Sequence, residues 1–373
     1  MIRLLRTRRS PVLTVILSLS FGFQVATGNA ETPDDSVWQS VATVKINSSL
    51  DGQTQRVKLW IPPKLEEQSD AALSAAERAD AKPASPTPLL VYLHSWSGNY
   101  KQVNLGWFQQ AVQRDWIYIQ PDFRGPNQRP EACGSALARQ DVLDAIAWAR
   151  DRWLVDDQRI YLAGASGGGH MAMLMAGHHP DRFSAVSAWV GISDLAQWYR
   201  FRVGVSPQDK YAAMIVASLQ GVPGSSPQVD ADYQERSPLY QLADTGDLPI
   251  DLAAGIWDGK QGSVPIWHTL AAFNALARQH GVAGVDPDTM RMLQERELPP
   301  RKPVNALGIA ESETEPSTRD DSQAKYPRAI HLRQHAGPVR VTIFEGGHES
   351  LPEPACQWLA EQKRTASGWT APQ

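Results

Sequence analysis

The chain has 373 residues, of which 42% are hydrophobic and 20% are charged, enough apolar material to exclude a disordered chain. The net charge of -4 provides no basic field for a nucleic acid, so nucleic-acid binding is not expected. Two cysteines are too few for a four-cysteine zinc site or a disulfide-dense scaffold.

Residues 1–30 have the pattern of a cleavable export signal. Four arginines precede an apolar stretch over 11–26, and small residues at 28–30 suit cleavage. A retained signal-anchor is the alternative, although the apolar stretch is short and interrupted by polar residues. Cleavage would leave an acidic mature chain in a periplasm or outside the cell, with no membrane association.

Residues 31–87 are predicted to form an N-terminal segment. Strand patterns at 44–46 and 56–61 flank the turn signal Asp51-Gly52 and predict an antiparallel hairpin. Residues 64–87 are polar, with little apolar periodicity, and predict a solvated insertion.

From residue 88 to residue 373, short apolar runs alternate with helical patterns. This alternation predicts an α/β fold, in which helices flank a mostly parallel sheet. The runs predicted as strands are 89–94, 116–120, 160–163, 185–190, 250–256 and 339–344. The patterns predicted as helices are 136–152, 168–178, 265–280 and 354–364.

Two insertions interrupt this alternation. Residues 195–247 are rich in aromatic residues, glycine and proline, and predict a partly helical lid. Residues 282–330 begin with a helix that Asp286 caps and continue as a polar loop. The following segment, 328–333, is predicted to pair with strand 339–344 as a hairpin.

The sequence Gly164-Ala165-Ser166-Gly167-Gly168 has the G-x-S-x-G pattern of a nucleophile elbow. It lies between a predicted strand and a predicted helix, and its glycines permit the tight turn that exposes a serine hydroxyl above the sheet edge. Ser166 is therefore the predicted nucleophile; a plain glycine-rich turn is the alternative.

A serine nucleophile needs a base, and the base needs a carboxylate to orient it. His348, on a glycine-rich loop after the last strand, is the predicted base. Asp258, which follows strand 250–256, is the predicted acid; Asp194 is the alternative acid and would otherwise cap a helix. The order of serine, aspartate and histidine along the chain is that of α/β-hydrolases.

Acyl transfer also needs two backbone N–H groups that stabilise the oxyanion. Gly167 is expected to supply one, and Trp96, after the first parallel strand, the other. This chemistry requires no metal and no cofactor, and no metal-ligand spacing is evident.

These motifs resemble the catalytic domain of the prolyl oligopeptidase family of α/β-hydrolases over residues 88–364. The resemblance implies an α/β-hydrolase fold, with Ser166 as nucleophile, Asp258 as acid and His348 as base. Only residues 31–87 precede the domain, too few for the β-propeller that restricts these oligopeptidases to short peptides. We therefore expect an open site.

Three further residues are candidates for substrate binding. Trp198 and Trp257, together with Trp96, are expected on loops at the catalytic edge, where an indole ring could stack on a sugar or an aromatic acyl group. Packing in the core or lid is the alternative. Arg124, at another strand end, could bind a substrate carboxylate or form a structural salt bridge.

The two cysteines, Cys133 and Cys356, each follow a segment that we place on the rim of the site. In an oxidising compartment they could form a disulfide; two separate buried thiols are the alternative.

The sequence thus predicts an exported serine hydrolase that cleaves a carboxylic ester through an acyl-enzyme, with an O-acyl carbohydrate as one candidate substrate. A prolyl oligopeptidase-like peptidase without a propeller is the first alternative. A non-catalytic binding protein on a hydrolase scaffold is the second. The expected substrate is a small molecule, a carbohydrate ester or a peptide.

Overall fold

The computed structural model describes residues 38–65, 85–295 and 326–364. The predicted export signal and most of the two predicted polar segments lie outside the described residues. Within the described ranges, no helix is both long and apolar enough to cross a bilayer.

Nine strands form one mixed sheet. They are β1 (Ala42–Asn47), β2 (Thr54–Trp60), β3 (Thr87–Leu93), β4 (Ile117–Pro121), β5 (Val155–Ala165), β6 (Ala185–Trp189), β7 (Ile250–Gly255), β8 (Ile330–Ala336) and β9 (Val339–Phe344). Their order is β1-β2-β4-β3-β5-β6-β7-β9-β8. The six strands from β4 to β9 in that order pair in parallel, whereas β1, β2 and β8 are antiparallel to their neighbours. The predicted α/β fold and both predicted hairpins are confirmed.

Helices cover the sheet and build the lid. They are α1 (Leu105–Gln113), α2 (Ala136–Arg150), α3 (Gly167–His178), α4 (Leu195–Val205), α5 (Lys210–Leu219), α6 (Pro227–Glu235), α7 (Trp267–Gln279), α8 (Pro287–Glu295) and α9 (Pro352–Glu361). The four predicted domain helices correspond to α2, α3, α7 and α9, and the helix predicted after Asp286 is α8. The lid insertion is more helical than its composition indicated, since it contains α4, α5 and α6.

Buried apolar side chains form two clusters. The larger cluster lies on the sheet, whose central strands are buried on both faces. The smaller one joins the lid to the segment after β3, and its members are Trp96, Cys133, Ile192, Leu195, Trp198, Ile215, Leu219, Tyr233 and Val264. We call this smaller group the lid cluster. It fixes the lid helices beside the carboxyl ends of the central strands.

An ion cluster attaches the N-terminal hairpin to the domain. The Arg124 guanidinium donates to both oxygens of Asp141, at 2.6 and 2.9 Å, and to both oxygens of Asp51, at 2.7 and 3.0 Å. Its hydrogen bond lowers the pKa of Asp51 to about 2. Because Arg124 is 4% exposed and two carboxylates already bind it, the prediction that it binds a substrate carboxylate is wrong and the salt-bridge alternative holds.

The two cysteines are free and buried in different places. Cys133 belongs to the lid cluster, whereas Cys356 lies in α9 within the larger cluster. Burial raises the pKa of each thiol to about 12. The suggested disulfide is therefore wrong, because each thiol packs as a small apolar group in its own part of the core.

Candidate active site

Ser166 lies at the sharp turn between β5 and α3. Its backbone has φ 58° and ψ -119°, a strained conformation for a residue with a side chain. Its amide donates to the Trp189 carbonyl at 2.9 Å, which ties the turn to β6. A side chain at Gly164 would collide with the Gly168 backbone, so only glycine allows the strand and helix to approach this closely. The structure thus contains the predicted strand–turn–helix elbow.

Asp258 and His348 meet because their loops follow adjacent parallel strands. β7 pairs with β9, and beyond the strands the Trp257 amide still donates to the Gly346 carbonyl at 3.0 Å. His348 Nδ1 lies 2.7 Å from Asp258 Oδ2. The other oxygen, Oδ1, accepts the amides of Gly259 and Val264 at 2.9 and 3.1 Å. With Asp258 only 4% exposed, this bond fixes the ring orientation and places the imidazole proton on Nδ1.

The far side of the imidazole has an unexpected neighbour. His348 Nε2 lies 3.3 Å from the hydroxyl of Ser263. Among the described residues, none forms a hydrogen bond with the Ser166 hydroxyl. The structure therefore brings Asp258 and His348 together, while the lone pair expected to receive the Ser166 proton faces a different serine.

The two predicted oxyanion amides lie side by side. A side chain at Gly167 would collide with the Trp96 backbone nitrogen. Neither N–H has an acceptor among the described residues, and Gly167 begins α3, where helix amides lack internal partners. Two adjacent free amides near Ser166 have the composition of an oxyanion hole.

His94 holds the segment that carries Trp96. Its ring nitrogens lie 2.7 Å from the Asp122 carbonyl and 3.0 Å from the Ser95 carbonyl, and it stacks on Phe123. Because desolvation by burial lowers the pKa of His94, the ring is suited to a structural role.

The tryptophans differ in their surroundings. Trp198 lies in α4 rather than on a loop, is 1% exposed, and packs edge to face on Trp96 with ring centroids 4.7 Å apart. Its predicted stacking on substrate is wrong, because the ring is enclosed by the lid cluster. Trp257 is half-buried, and its indole N–H donates to Glu345 at 2.5 Å. Its contact with substrate stays a prediction.

Asp194, the alternative acid, caps α4. Its carboxylate accepts the Gln197 amide at 2.9 Å, as an N-cap residue does. The structure thus separates the two aspartates: Asp258 orients the histidine, and Asp194 caps the start of a helix.

Sequence reasoning missed two residues at this site. Glu345 accepts the Trp257 indole N–H and pairs with His331 Nε2 at 2.8 Å, and these bonds lower its pKa. It therefore ties the loop of the acid to the loop of the base. Ser263 is the second, and its contact with His348 has no sign in the local sequence.

Behind the elbow, His170 is fully buried on α3 and its Nε2 lies 2.8 Å from the Arg236 carbonyl. Burial lowers the pKa of His170 to about 4. In the described ranges, no three His, Cys, Asp or Glu side chains are grouped closely enough to hold a metal ion.

Comparison with known proteins gives a family match. The model of the prolyl oligopeptidase family matches residues 103–291, just over half of the chain, a range that includes Ser166 and Asp258 and ends before His348. An uncharacterized peptidase of Bacillus subtilis, YtmA, is 27% identical over 204 residues, 54% of this chain and 74% of the peptidase. An acetylxylan esterase of Coprinopsis cinerea is 31% identical over 114 residues, which cover 28% of this chain and 30% of the esterase.

Solved structures include distant matches. A puromycin-hydrolysing peptidase of Mycobacterium tuberculosis is 20% identical, with a TM-score of 0.49 over 67% of this chain and 36% of the peptidase. An acylaminoacyl peptidase of Pyrococcus horikoshii is 17% identical, with a TM-score of 0.47 over 65% of this chain and 35% of the peptidase. The chain thus spans about a third of the length of each of these peptidases.

Proposed function

Since the chain belongs to the prolyl oligopeptidase family and is a serine hydrolase, we propose that it cleaves carboxylic esters with Ser166, Asp258 and His348 as its catalytic triad. The observation that carries this proposal is the 2.7 Å bond between His348 Nδ1 and the buried Asp258 carboxylate. That bond leaves Nε2 as the acceptor for a serine proton.

The proposed reaction has two steps. Ser166 attacks the ester carbonyl as His348 Nε2 takes its proton, and the oxyanion is stabilised by the amides of Gly167 and Trp96. His348 then donates the proton to the leaving alkoxide, which departs and leaves an acyl-enzyme. His348 then deprotonates a water molecule that attacks the acyl-enzyme carbonyl, and returns this proton to the Ser166 oxygen as the acid is released.

Charges in the lid insertion favour an ester over a peptide with a free amino terminus. Removal of residues from such a terminus requires an unpaired carboxylate to bind the ammonium group. Ion pairs already engage three lid carboxylates: Asp209 with Arg202, Asp232 with Arg236, and Glu235 with Arg139.

The other lid carboxylates are also poorly suited to that role. Asp230 accepts the Gly224 amide at 2.6 Å. Asp244 and Asp247 line a cavity with residues that precede β6 and β7, at the sheet edge opposite Ser166. The acetylxylan esterase among the relatives agrees with an ester substrate, including an O-acyl carbohydrate.

A peptidase is the second candidate, because the relative with the longer alignment is described as a peptidase. The two candidates differ in turnover of matched substrates. Purified full-length protein is assayed with p-nitrophenyl acetate, acetylated sugars and feruloyl esters, and with aminoacyl and dipeptidyl p-nitroanilides. The ester proposal requires ester turnover well above amide turnover; comparable rates would contradict it.

The assay also separates a catalyst from a binding protein. A fluorophosphonate probe is expected to label wild type at Ser166 and to leave Ser166→Ala unlabelled. Equal labelling of both proteins would contradict the proposed nucleophile.

We also propose export, on the pattern of residues 1–30. The proposed mature chain begins at residue 31. Terminal sequencing of protein recovered outside the cytoplasm tests this, and an intact Met1 on that protein would contradict cleavage.

A further inference from the structure

A short loop, Gly259 to Ser263, lies directly on the pair formed by Asp258 and His348. Asp258 Oδ1 accepts the amide at each end of this loop, from Gly259 and Val264. A side chain at Gly262 would collide with the Asp258 carboxylate and would come within 2.6 Å of His348 Cβ. Asp258 therefore holds this loop in direct contact with His348.

This position gives the Ser263 hydroxyl access to the base. In a neutral imidazole, one nitrogen carries a proton and the other has a lone pair. Since Nδ1 donates to Asp258, Nε2 is the acceptor, and the Ser263 hydroxyl at 3.3 Å is its donor. The same lone pair must accept the proton of Ser166 during attack.

We propose that Ser263 restrains the hydrolase: its hydroxyl occupies the Nε2 lone pair of His348 in the substrate-free enzyme and must leave before Ser166 is activated. This inference rests on the proposed function, because it needs His348 as the base. Ser263 acts through His348 and is a positioning residue.

The lid connects this restraint to the place where substrate binds. The Trp198 indole N–H donates to the Ser263 carbonyl at 2.8 Å. Trp198 also packs on Trp96, whose amide faces the expected oxyanion, and on Tyr211 of α5. A shift of the lid cluster that moves Trp198 would therefore draw the Ser263 hydroxyl away from Nε2.

Removal of the hydroxyl tests the proposal. The second-order rate of inactivation by a fluorophosphonate probe is measured for wild type, Ser263→Ala and Ser263→Thr. Because one hydrogen bond changes an equilibrium by about fivefold, Ser263→Ala is expected to react about fivefold faster. Ser263→Thr keeps the hydroxyl and is expected to stay within about twofold of wild type.

Steady-state kinetics with p-nitrophenyl acetate provide a second readout. Ser263→Ala is expected to raise kcat/KM by about fivefold, which a merely structural role would not do. Ser225→Ala, at an exposed lid serine, is the matched control and is expected to match wild type. Thermal unfolding checks that each variant is folded. If Ser263→Ala does not fold, Ser263→Gly replaces it, since it also lacks the hydroxyl and should also react faster.

An unchanged or slower reaction of the variant lacking the hydroxyl would overturn the proposal, as would a Ser263→Thr protein that behaves like Ser263→Ala. Failure of the proposed function has a different signature. In that case wild type is not labelled at Ser166, or Ser166→Ala is labelled equally, whatever residue occupies position 263.

Discussion

The Cα atom of Gly167 lies so close to the Trp96 backbone that a Cβ atom on Gly167 would come within 2.2 Å of the Trp96 nitrogen. Gly167 begins α3, whereas Trp96 follows β3, so two elements distant in sequence supply adjacent amides. Glycine at this position is thus a condition for the proposed oxyanion hole.

Gly167→Ala is therefore expected to push the Trp96 segment away and to lower kcat for ester hydrolysis by about 100-fold or more. Steady-state kinetics on the folded variant measure this. Gly204→Ala is the control, because a side chain at Gly204 meets no atom within 4 Å and Gly204 lies in α4. Wild-type kcat in Gly167→Ala would remove Trp96 or Gly167 from the oxyanion hole.

Substitution of the two candidate acids, Asp258 and Asp194, is expected to have different effects on kcat. Asp258→Asn is expected to lower kcat by about 10⁴-fold, because an amide no longer fixes the proton of His348 on Nδ1. Asp194→Asn keeps a good helix cap and is expected to retain activity. Equal losses in both variants would contradict the assignment of Asp258.

The buried ion cluster predicts a stability defect. Arg124→Met leaves Asp141 buried with no counter-charge, and we expect a loss of about 3–5 kcal/mol in the free energy of unfolding. Lys64→Ala, in an exposed pair with Asp115, is the control, with a loss of at most about 1 kcal/mol. Urea unfolding measures both. A stable Arg124→Met with a raised KM for acidic substrates would restore the substrate-binding role.

Burial of Cys133 and Cys356 predicts that both thiols react slowly with a disulfide reagent in the folded protein. With the pKa of both raised to about 12 by burial, almost no thiolate exists at pH 8, and a disulfide reagent is excluded from the core. In the native protein neither thiol is expected to react with this reagent. In the denatured protein both thiols of each chain are expected to react. A reducing agent should leave the midpoint of thermal unfolding unchanged; a decrease would indicate a bridge.

Buried His170 predicts a loss of stability in mild acid. Its folded-state pKa of about 4 lies below the value of about 6.5 in the unfolded chain, so the unfolded chain binds more protons between these values. Stability therefore falls as the pH decreases through this window, by about 2 kcal/mol at pH 5 relative to pH 8. His170→Gln should lose less over this interval in urea unfolding; an equal loss would contradict the assignment.

The strands and the elbow were predictable because local patterns determine them. Residues 89–93 of β3 form a continuous apolar run, as is typical of a strand buried on both faces. The glycines around Ser166 are required by the close approach of strand and helix. Helix α1 was missed because it is short; Asn104 is a residue type that often caps helices, although its side chain makes no capping hydrogen bond here.

Side-chain contacts between distant residues that belong to no recognised motif were not predictable. Arg124 looked like a site residue at a strand end, but its partners Asp51 and Asp141 lie 73 and 17 residues away. Ser263 reaches His348 across 85 residues, only because the loop folds back onto Asp258. These side-chain contacts form only once the sheet has folded and brought the loops together, so a local sequence pattern does not predict them.

The described sheet ends at β1 on one side and at β8 on the other. The residues on these two outer strands affect whether the sheet can pair with a strand of another molecule. An outermost strand leaves backbone groups available to a strand of another chain. Here these positions carry Lys45 on β1 and Arg333 on β8, and charges on edge strands oppose such pairing. Charged side chains on both outer strands of the described sheet thus disfavour pairing with a strand of another molecule.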